Sequence, residues 1–341
     1  MADVFHLVDT PPSVEENALR VLVVGASGYI GSRVIPALLN AGHQVLAGAR
    51  DTASLTKFWW FEQVTPVQID VLDEQSTNRA ITQETDAIVY LVHGMASDDF
   101  SQADRQAALN VRNSADTSAV RRIVYVSGII PNVSTDDLSE HLKSRLQVEE
   151  VLSSSNATVI TLRAAMVIGG GSTSYELMSQ LSDRLPMTIV PDWMNHLVEP
   201  IAVVDLVDAI IRALEAKVST RNYDIGGGEP LPYPDLIQRY TEEAEKERIQ
   251  LPLGFLPEKL VAQVAAWIAD VPSPTVKALM ESLQHDMKAG DQYWKADLAK
   301  PNFQPLTVKE SLRRSLNLPN EQQPDETKDP MQRWSSDPTW T

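Results

Sequence analysis

Residues 20–51 constrain the fold more than any other stretch. They run from Arg20-Val21-Leu22-Val23-Val24-Gly25-Ala26-Ser27-Gly28-Tyr29-Ile30-Gly31 to Gly48-Ala49-Arg50-Asp51. The unbroken apolar run Val21 to Val24 predicts a strand buried on both faces, because a strand with one wet face alternates instead. From Tyr29 the apolar positions Ile30, Val34, Ala37, Leu38 and Ala41 fall at helical spacing, and Gly42 supplies a stop. Gln44 to Gly48 is a second strand. The unit is β–α–β with glycines 25, 28 and 31 at its first strand-to-helix turn, spaced Gly-x-x-Gly-x-x-Gly rather than Gly-x-Gly-x-x-Gly. Such a turn lets the backbone approach a ligand and aims unpaired N–H groups and the positive end of a helix dipole at an anion. A pyrophosphate fits this description. The expected contacts are Gly25, Ser27, Gly28, Tyr29, Ile30 and Gly31.

The pattern continues. Strands are predicted at Val67–Asp70, Ala87–Val92, Arg122–Val126 and Thr158–Arg163, with a helix over about 103–119. Strands alternating with helices give an α/β fold, a Rossmann-type doubly wound parallel sheet. Ligands of such sheets bind at the carboxyl ends of the strands. Gly25, Arg50, Asp70, His93 and Ser127 all fall there. Arg50 stands where an acidic residue would hold the ribose 2′-hydroxyl of NAD and where an arginine would pair with the 2′-phosphate of NADP. NADP(H) is therefore the expected cofactor. NAD(H) stays open because Asp51 follows at once. Asp70 and Val71 are expected to flank the adenine.

Net charge, −17 over 341 residues, argues against nucleic acid or an anionic membrane as partner. There is no cysteine, hence no disulfide, thiol nucleophile or thiolate-held metal. Histidines 6, 43, 93, 141, 196 and 285 are scattered without ligand spacing, so no metal site is expected. No signal peptide is evident at the start, and the apolar run Leu260 to Ala269 is too short to span a bilayer. A cytoplasmic protein with no integral membrane segment is the expectation. A protein partner or a homo-oligomer remains open.

Four regions are expected: an extension (1–19), the nucleotide-binding domain (20–165), a smaller, mainly helical carboxyl-terminal cap over the substrate (166–317), and a flexible tail (318–341) rich in Pro, Asp, Glu and Gln. Within the cap, 200–215 reads as a helix packing back on the first domain. Further helices are predicted over 232–244, 256–269 (around Trp267) and 274–287. The turn Gly169-Gly170-Gly171 either approaches the nicotinamide end or makes a plain turn. Met166, Met178, Met187 and Met194 with Trp193 suggest either an adaptable apolar surface or core filler. Phe58-Trp59-Trp60-Phe61 reads as a short helix on the sheet edge. Trp334 and Trp340 are unusual for a solvated tail.

Gly-Ala-Ser-Gly-Tyr-Ile-Gly at 25–31, Asp70-Val71, Tyr90-Leu91-Val92-His93 and Val124-Tyr125-Val126-Ser127-Gly128 resemble the short-chain dehydrogenase/reductase superfamily. The closer likeness is to its atypical branch, with the NmrA-like proteins and the accessory NAD(P)H-binding subunit of respiratory complex I. His141-Leu142-Lys143-Ser144-Arg145 and Leu162-Arg163-Ala164-Ala165 look like the same group, and Tyr223-Asp224-Ile225-Gly226-Gly227 resembles its late strand. The resemblance implies an NADPH-dependent oxidoreductase acting on a carbonyl or quinone-like small molecule, with His93, Ser127 and Arg145 near the ribose and nicotinamide. Catalytic members carry Tyr-x-x-x-Lys, which occurs nowhere in this chain. His141 and Arg145 stand at those positions, one helical turn apart. Two readings follow. Ser127, His141 and Arg145 form a catalytic set, or the protein is a non-catalytic NADPH-binding sensor, regulator or scaffold subunit.

Overall fold

The computed structural model describes residues 18–94, 100–185, 187–246, 249–254, 257–269, 271–290, 293–316 and 323–338. Most of the 1–19 extension, Trp340 and the side chain of Trp267 lie outside the described residues.

The first half alternates strand and helix: β1 (Arg20–Val24), α1 (Tyr29–Asn40), β2 (Gln44–Ala49), β3 (Thr65–Gln68), α2 (Glu74–Ala80), β4 (Ala87–Tyr90), α3 (Phe100–Asp116), β5 (Arg122–Gly128), α4 (Glu140–Ser153) and β6 (Thr158–Ala164). The second half is more broken. It runs β7 (Met166–Ile168), α5 (Thr173–Arg184), β8 (Met187–Val190), β9 (Leu197–Val198), β10 (Pro200–Ala202), α6 (Val203–Glu215), β11 (Arg221–Ile225) and β12 (Leu231–Pro232). It continues α7 (Tyr233–Glu243), β13 (Ile249–Pro252), α8 (Glu258–Ile268), α9 (Ser273–Ser282), α10 (Tyr293–Asp297) and α11 (Val308–Leu316).

The central sheet has seven parallel strands in the order β11-β6-β5-β4-β1-β2-β3. The apolar run of β1 lies at its heart, and alternate residues feed opposite layers. Val21 and Val23 join one core with Val34, Ile35 and Leu38 of α1 and Leu206 and Ile210 of α6. Leu22 and Val24 join the other with Ala107, Ala108 and Val111 of α3 and Val148 and Leu152 of α4. Period-2 geometry therefore explains why an unbroken apolar strand is needed: both of its faces are covered. Strand order reverses between β1 and β4, which opens a crevice above their carboxyl ends.

Beside the sheet, α5, α8 and α9 share a small core of Leu177, Ala262, Ala265, Val276 and Met280. Helix α6 packs on α1. Among the methionines expected to form an adaptable surface, Met166, Met178 and Met194 are buried core residues and Met187 is exposed. Phe58 and Trp60 are buried and stacked at 4.7 Å, in a stretch flanked by 3₁₀ turns at Thr52–Leu55 and Phe61–Gln63 and not in an α-helix.

The expectation of a flexible tail over 318–341 does not hold for residues 323–338. They dock against α1 and the 169–172 turn, burying Met331, Trp334 and Asp337. The polar composition misleads because the acids here bond to specific partners. Asp329 takes a bidentate contact from Arg314, at 2.7 Å to each oxygen, and Asp325 accepts from Ser335, Ser336 and Lys328.

Trp60 has no solvent-exposed surface. Trp60→Ala is expected to destabilise by about 3–5 kcal/mol, read as a lower urea midpoint at unchanged m-value.

Candidate functional site

A cleft of about 760 Å³ opens over the carboxyl ends of β1, β2, β4, β5 and β6 and is closed on its far side by α5 and α9. All the expected cofactor residues line it: Gly25, Ser27, Gly28, Tyr29, Ile30, Gly31, Arg50, Asp70, Val71, His93, Ser127 and Arg145, together with His141.

The floor is the β1–α1 turn. Gly25 adopts φ +100°, a conformation L side chains rarely reach. A Cβ on Gly31 would meet the Gly25 carbonyl at 2.3 Å, so glycine lets the helix sit directly on the turn. Helix α1 begins at Gly28 with no side chain capping it and no acid in its first turn. Asp73 caps α2 and Ser139 caps α4, whereas α5, α6, α7 and α9 also start without a side-chain cap, so what sets α1 apart is its glycine turn. The start of α1 thus keeps donors and positive dipole for an anion, the requirement of a pyrophosphate site. Of the residues expected to contact the pyrophosphate, Tyr29 contributes differently. Its ring turns under the 169–171 loop, where its hydroxyl is buried without a partner among the described residues, and burial raises its pKa. Only the backbone of Tyr29 is placed like the rest of the turn.

The side walls carry the remaining groups. Arg50 follows β2 and is exposed, its carbonyl accepting from Gln68 Nε2 at 3.3 Å. Asp70 lies two residues beyond β3, not on it as expected, and accepts from the Leu72 amide at 3.1 Å. The Val71 carbonyl accepts from Asn110 at 2.9 Å, which fixes the turn.

At the other end, α4 brings His141 and Arg145 onto one face, toward the β4 and β5 ends. His93 and His141 meet edge to face at 6.5 Å between ring centres. Arg145 Nη1 donates to the Val126 carbonyl at 3.3 Å. Ser127 Oγ lies beside the Tyr125 hydroxyl, while His93 Nδ1 and Arg145 Nε are buried without a hydrogen-bond partner among the described residues. Buried polar atoms are nearly always satisfied, so these fit a polar ligand in the cleft. Burial, and then the Arg145 guanidinium, push His141 down to about 3. His93 is lowered well below its ordinary value by burial, Arg145 and His141. Both imidazoles are therefore neutral at neutral pH. Any part His141 plays is that of a neutral imidazole and not of a charged acid.

Asp104 is a site residue that sequence reading missed. From α3 it accepts from the Gly94 amide at 2.6 Å and the Ser144 hydroxyl at 3.0 Å. It ties the loop carrying His93 to the helix carrying His141. One acid within an amphipathic helix gives no local signal of such a role. The apolar far wall (Leu177, Val198, Pro272, Leu279, Leu283 and Met287) was equally hidden. The 169–171 glycines form a turn closed by the Ser172 amide donating to the Gly169 carbonyl at 3.0 Å, and the Gly170 amide donates to the Met331 carbonyl at 2.8 Å. No group of metal-ligating side chains occurs among the described residues, and none of their helices is long and apolar enough to cross a membrane.

Residues 25–191 match the model of an NAD(P)H-binding domain family. A mitochondrial NADH dehydrogenase (ubiquinone) 1 alpha subcomplex subunit 9 from Dictyostelium discoideum is 22% identical over 266 residues, covering 74% of this chain and 73% of that protein. Two solved structures share the fold. The Bordetella bronchiseptica enzyme WbmH, in complex with NAD+, has a TM-score of 0.63 at 19% identity, over 87% of this chain and 96% of that one. An NADPH-dependent quinone oxidoreductase from Escherichia coli has a TM-score of 0.66 at 18% identity, over 86% and 98%.

Two outcomes test the site. Gly31→Ala forces a methyl into backbone that cannot yield, and NADPH and NADH affinity should both fall on the order of tenfold or more in a fluorescence titration. His141 stays neutral in the folded chain down to about 3, whereas unfolded imidazole protonates near 6.5. Between these values the unfolded chain binds the extra proton, so stability is full above the upper value and falls as pH drops. The slope is ~1.4 kcal/mol per pH unit for one such proton. His141→Phe should flatten this limb in urea unfolding midpoints measured across the same range.

Proposed function

Starting from a short-chain dehydrogenase/reductase fold whose residues 25–191 match an NAD(P)H-binding domain family, we propose an NADPH-dependent reductase acting on an uncharged, apolar, quinone-like carbonyl acceptor. The observation that carries this reading is the split character of the cleft. The charged lining side chains, Arg50, Asp70, Asp104 and Arg145, belong to the sheet side, while the wall supplied by α5 and α9 offers none among the described residues. That wall, Leu177, Leu279, Met280 and Leu283 with the hydroxyls of Thr173, Ser174, Thr275 and Ser282, offers no ion-pair partner and so suits an uncharged ring.

NADPH, when bound, supplies a hydride to the acceptor. The α1 turn would hold the pyrophosphate, Arg50 the 2′-phosphate, and Asp70 with Val71 the adenine edge. Arg145 would hold the ribose or a neighbouring phosphate. The Ser127 hydroxyl and the neutral His141 N–H would donate hydrogen bonds to the acceptor oxygen as it gains charge. A hydroquinone anion is a much weaker base than a simple alkoxide. It can take its proton from water, which suits a site whose imidazoles are both neutral. The likeness to an NADPH-dependent quinone oxidoreductase is in keeping with this chemistry.

One feature favours a second reading. Tyr-x-x-x-Lys is missing, and no group on α4 replaces its proton donor. The chain would then hold NADPH without turning it over, as a sensor or as a subunit beside protein partners. The resemblance to a mitochondrial NADH dehydrogenase subunit agrees with that alternative.

Steady-state NADPH oxidation with a benzoquinone-type acceptor separates the two. The reductase reading expects turnover with the quinone and none with an aliphatic ketone. It also expects His141→Phe to lower kcat on the order of 10²-fold while NADPH affinity is retained. Binding without turnover on any acceptor would leave the second reading. Arg50→Ala should weaken NADPH more than NADH, by about 1–3 kcal/mol; an equal loss for both nucleotides would remove Arg50 from cofactor selection.

A further inference from the structure

The carboxyl-terminal segment 323–338 touches nothing in the cleft, yet it holds the two elements that shape the cleft's phosphate end. Its centre is Arg33, on the second turn of α1. The guanidinium lies between two rings, 3.8 Å from the Trp334 ring centre and 4.7 Å from that of Tyr29. All its donors are used. Nε donates to the Pro330 carbonyl at 2.9 Å. Nη1 donates to Ser32 Oγ at 2.8 Å and Asp337 Oδ1 at 2.6 Å, and Nη2 to the Gln332 carbonyl at 2.9 Å and Asp337 Oδ2 at 2.7 Å. The Arg33 and Asp337 side chains are both fully buried. Asp337 Oδ2 also accepts from the Trp334 amide at 2.8 Å.

The same segment grips the opposite wall. A Cβ on Gly170 would meet the Arg333 amide nitrogen at 2.7 Å, so glycine there admits the segment's backbone. Arg333 reaches Glu176 of α5 at 3.2 Å, and Glu176 accepts from the Gly171 amide at 2.8 Å. Ser172, Thr173 and Ser174, next in the chain, line the cleft.

We propose that residues 329–337 are a strap that positions the nucleotide site, with Asp337 and Trp334 as positioning residues acting through Arg33 on α1 and through Gly170 on the 169–174 wall. The proposal rests on the nucleotide reading of the α1 turn. Its physical basis is linkage. The α1 turn and Ser172 to Ser174 line the same cleft, and the docked strap holds both, so it sets the width that a bound nucleotide meets. Nucleotide binding and strap docking must then favour each other equally. A buried ion pair stacked between two aromatic rings suits this role, because it has one good geometry and leaves an uncompensated charge in any other.

Hydrogen exchange on the full chain, with and without saturating NADPH, tests the coupling. The reporters are the amides of Gly170, Gln332 and Trp334, bonded to Met331 O, Asp329 O and Asp337 Oδ2. The comparator is the Arg121 amide, bonded to Asp86 O at the other end of the sheet. NADPH should slow exchange of the reporters about tenfold more than that of the comparator. In parallel, Asp337→Asn and Trp334→Leu should raise the KM for NADPH about tenfold with little change in kcat at saturation. If either variant fails to fold, the exchange experiment on the wild-type chain still decides. Equal slowing of reporters and comparator, or none, overturns the strap while leaving the nucleotide site intact. Failure of the wild-type chain to bind NADPH overturns both.

Discussion

The structure is organised around the glycine turn that carries β1 into α1. Gly28 opens α1 with no capping side chain and no acid in the first turn, at the point where β1 leaves the middle of a seven-stranded parallel sheet. Unpaired N–H groups and a positive dipole end are costly unless something negative meets them. The rest of the molecule compensates for that cost by rigidity. β1 is fixed by apolar layers on both faces, Gly31 sits against the Gly25 carbonyl, and Arg33 has all its donors taken by the carboxyl-terminal segment and Ser32. A site so held is organised before its ligand arrives, which favours tight binding of an anion.

Much of this was legible in the sequence. The run Val21 to Val24 required burial on both sides, and the glycine turn between strand and helix lies, as expected, at the cleft over the strand ends. The convergence of Gly25, Arg50, Asp70, His93 and Ser127 followed from one rule, that parallel strands present their carboxyl ends together, and all five line one cleft. Contacts distant in sequence were not legible. Arg33 and Asp337 are 304 residues apart, and nothing local to either announces the other. The tail's acids and prolines resemble a solvated segment in composition, yet each acid named above has its own donor. Asp104 was invisible for the same reason: its partners, Gly94 and Ser144, come from other elements.

The chemistry follows from what surrounds the two histidines. An isolated imidazole is a proton shuttle near neutrality. Here burial of the imidazoles and the positive charge of Arg145 together remove the proton from His141 and His93. What remains at this end of the cleft is a set of neutral donors around a fixed cation, facing an apolar wall. That combination stabilises a weakly basic oxyanion better than it protonates a strongly basic one. It gives a physical reason for the quinone-like reading over a simple ketone.

The measurement that bears most directly on this account is calorimetric titration of the purified protein with NADPH and, separately, NADH. The account predicts one site per chain, tighter for NADPH than for NADH, because the uncapped start of α1 receives the pyrophosphate and Arg50 the 2′-phosphate. Heat-silent titrations with both nucleotides, confirmed by the absence of any thermal stabilisation, would contradict it. The glycine turn would then be architecture alone.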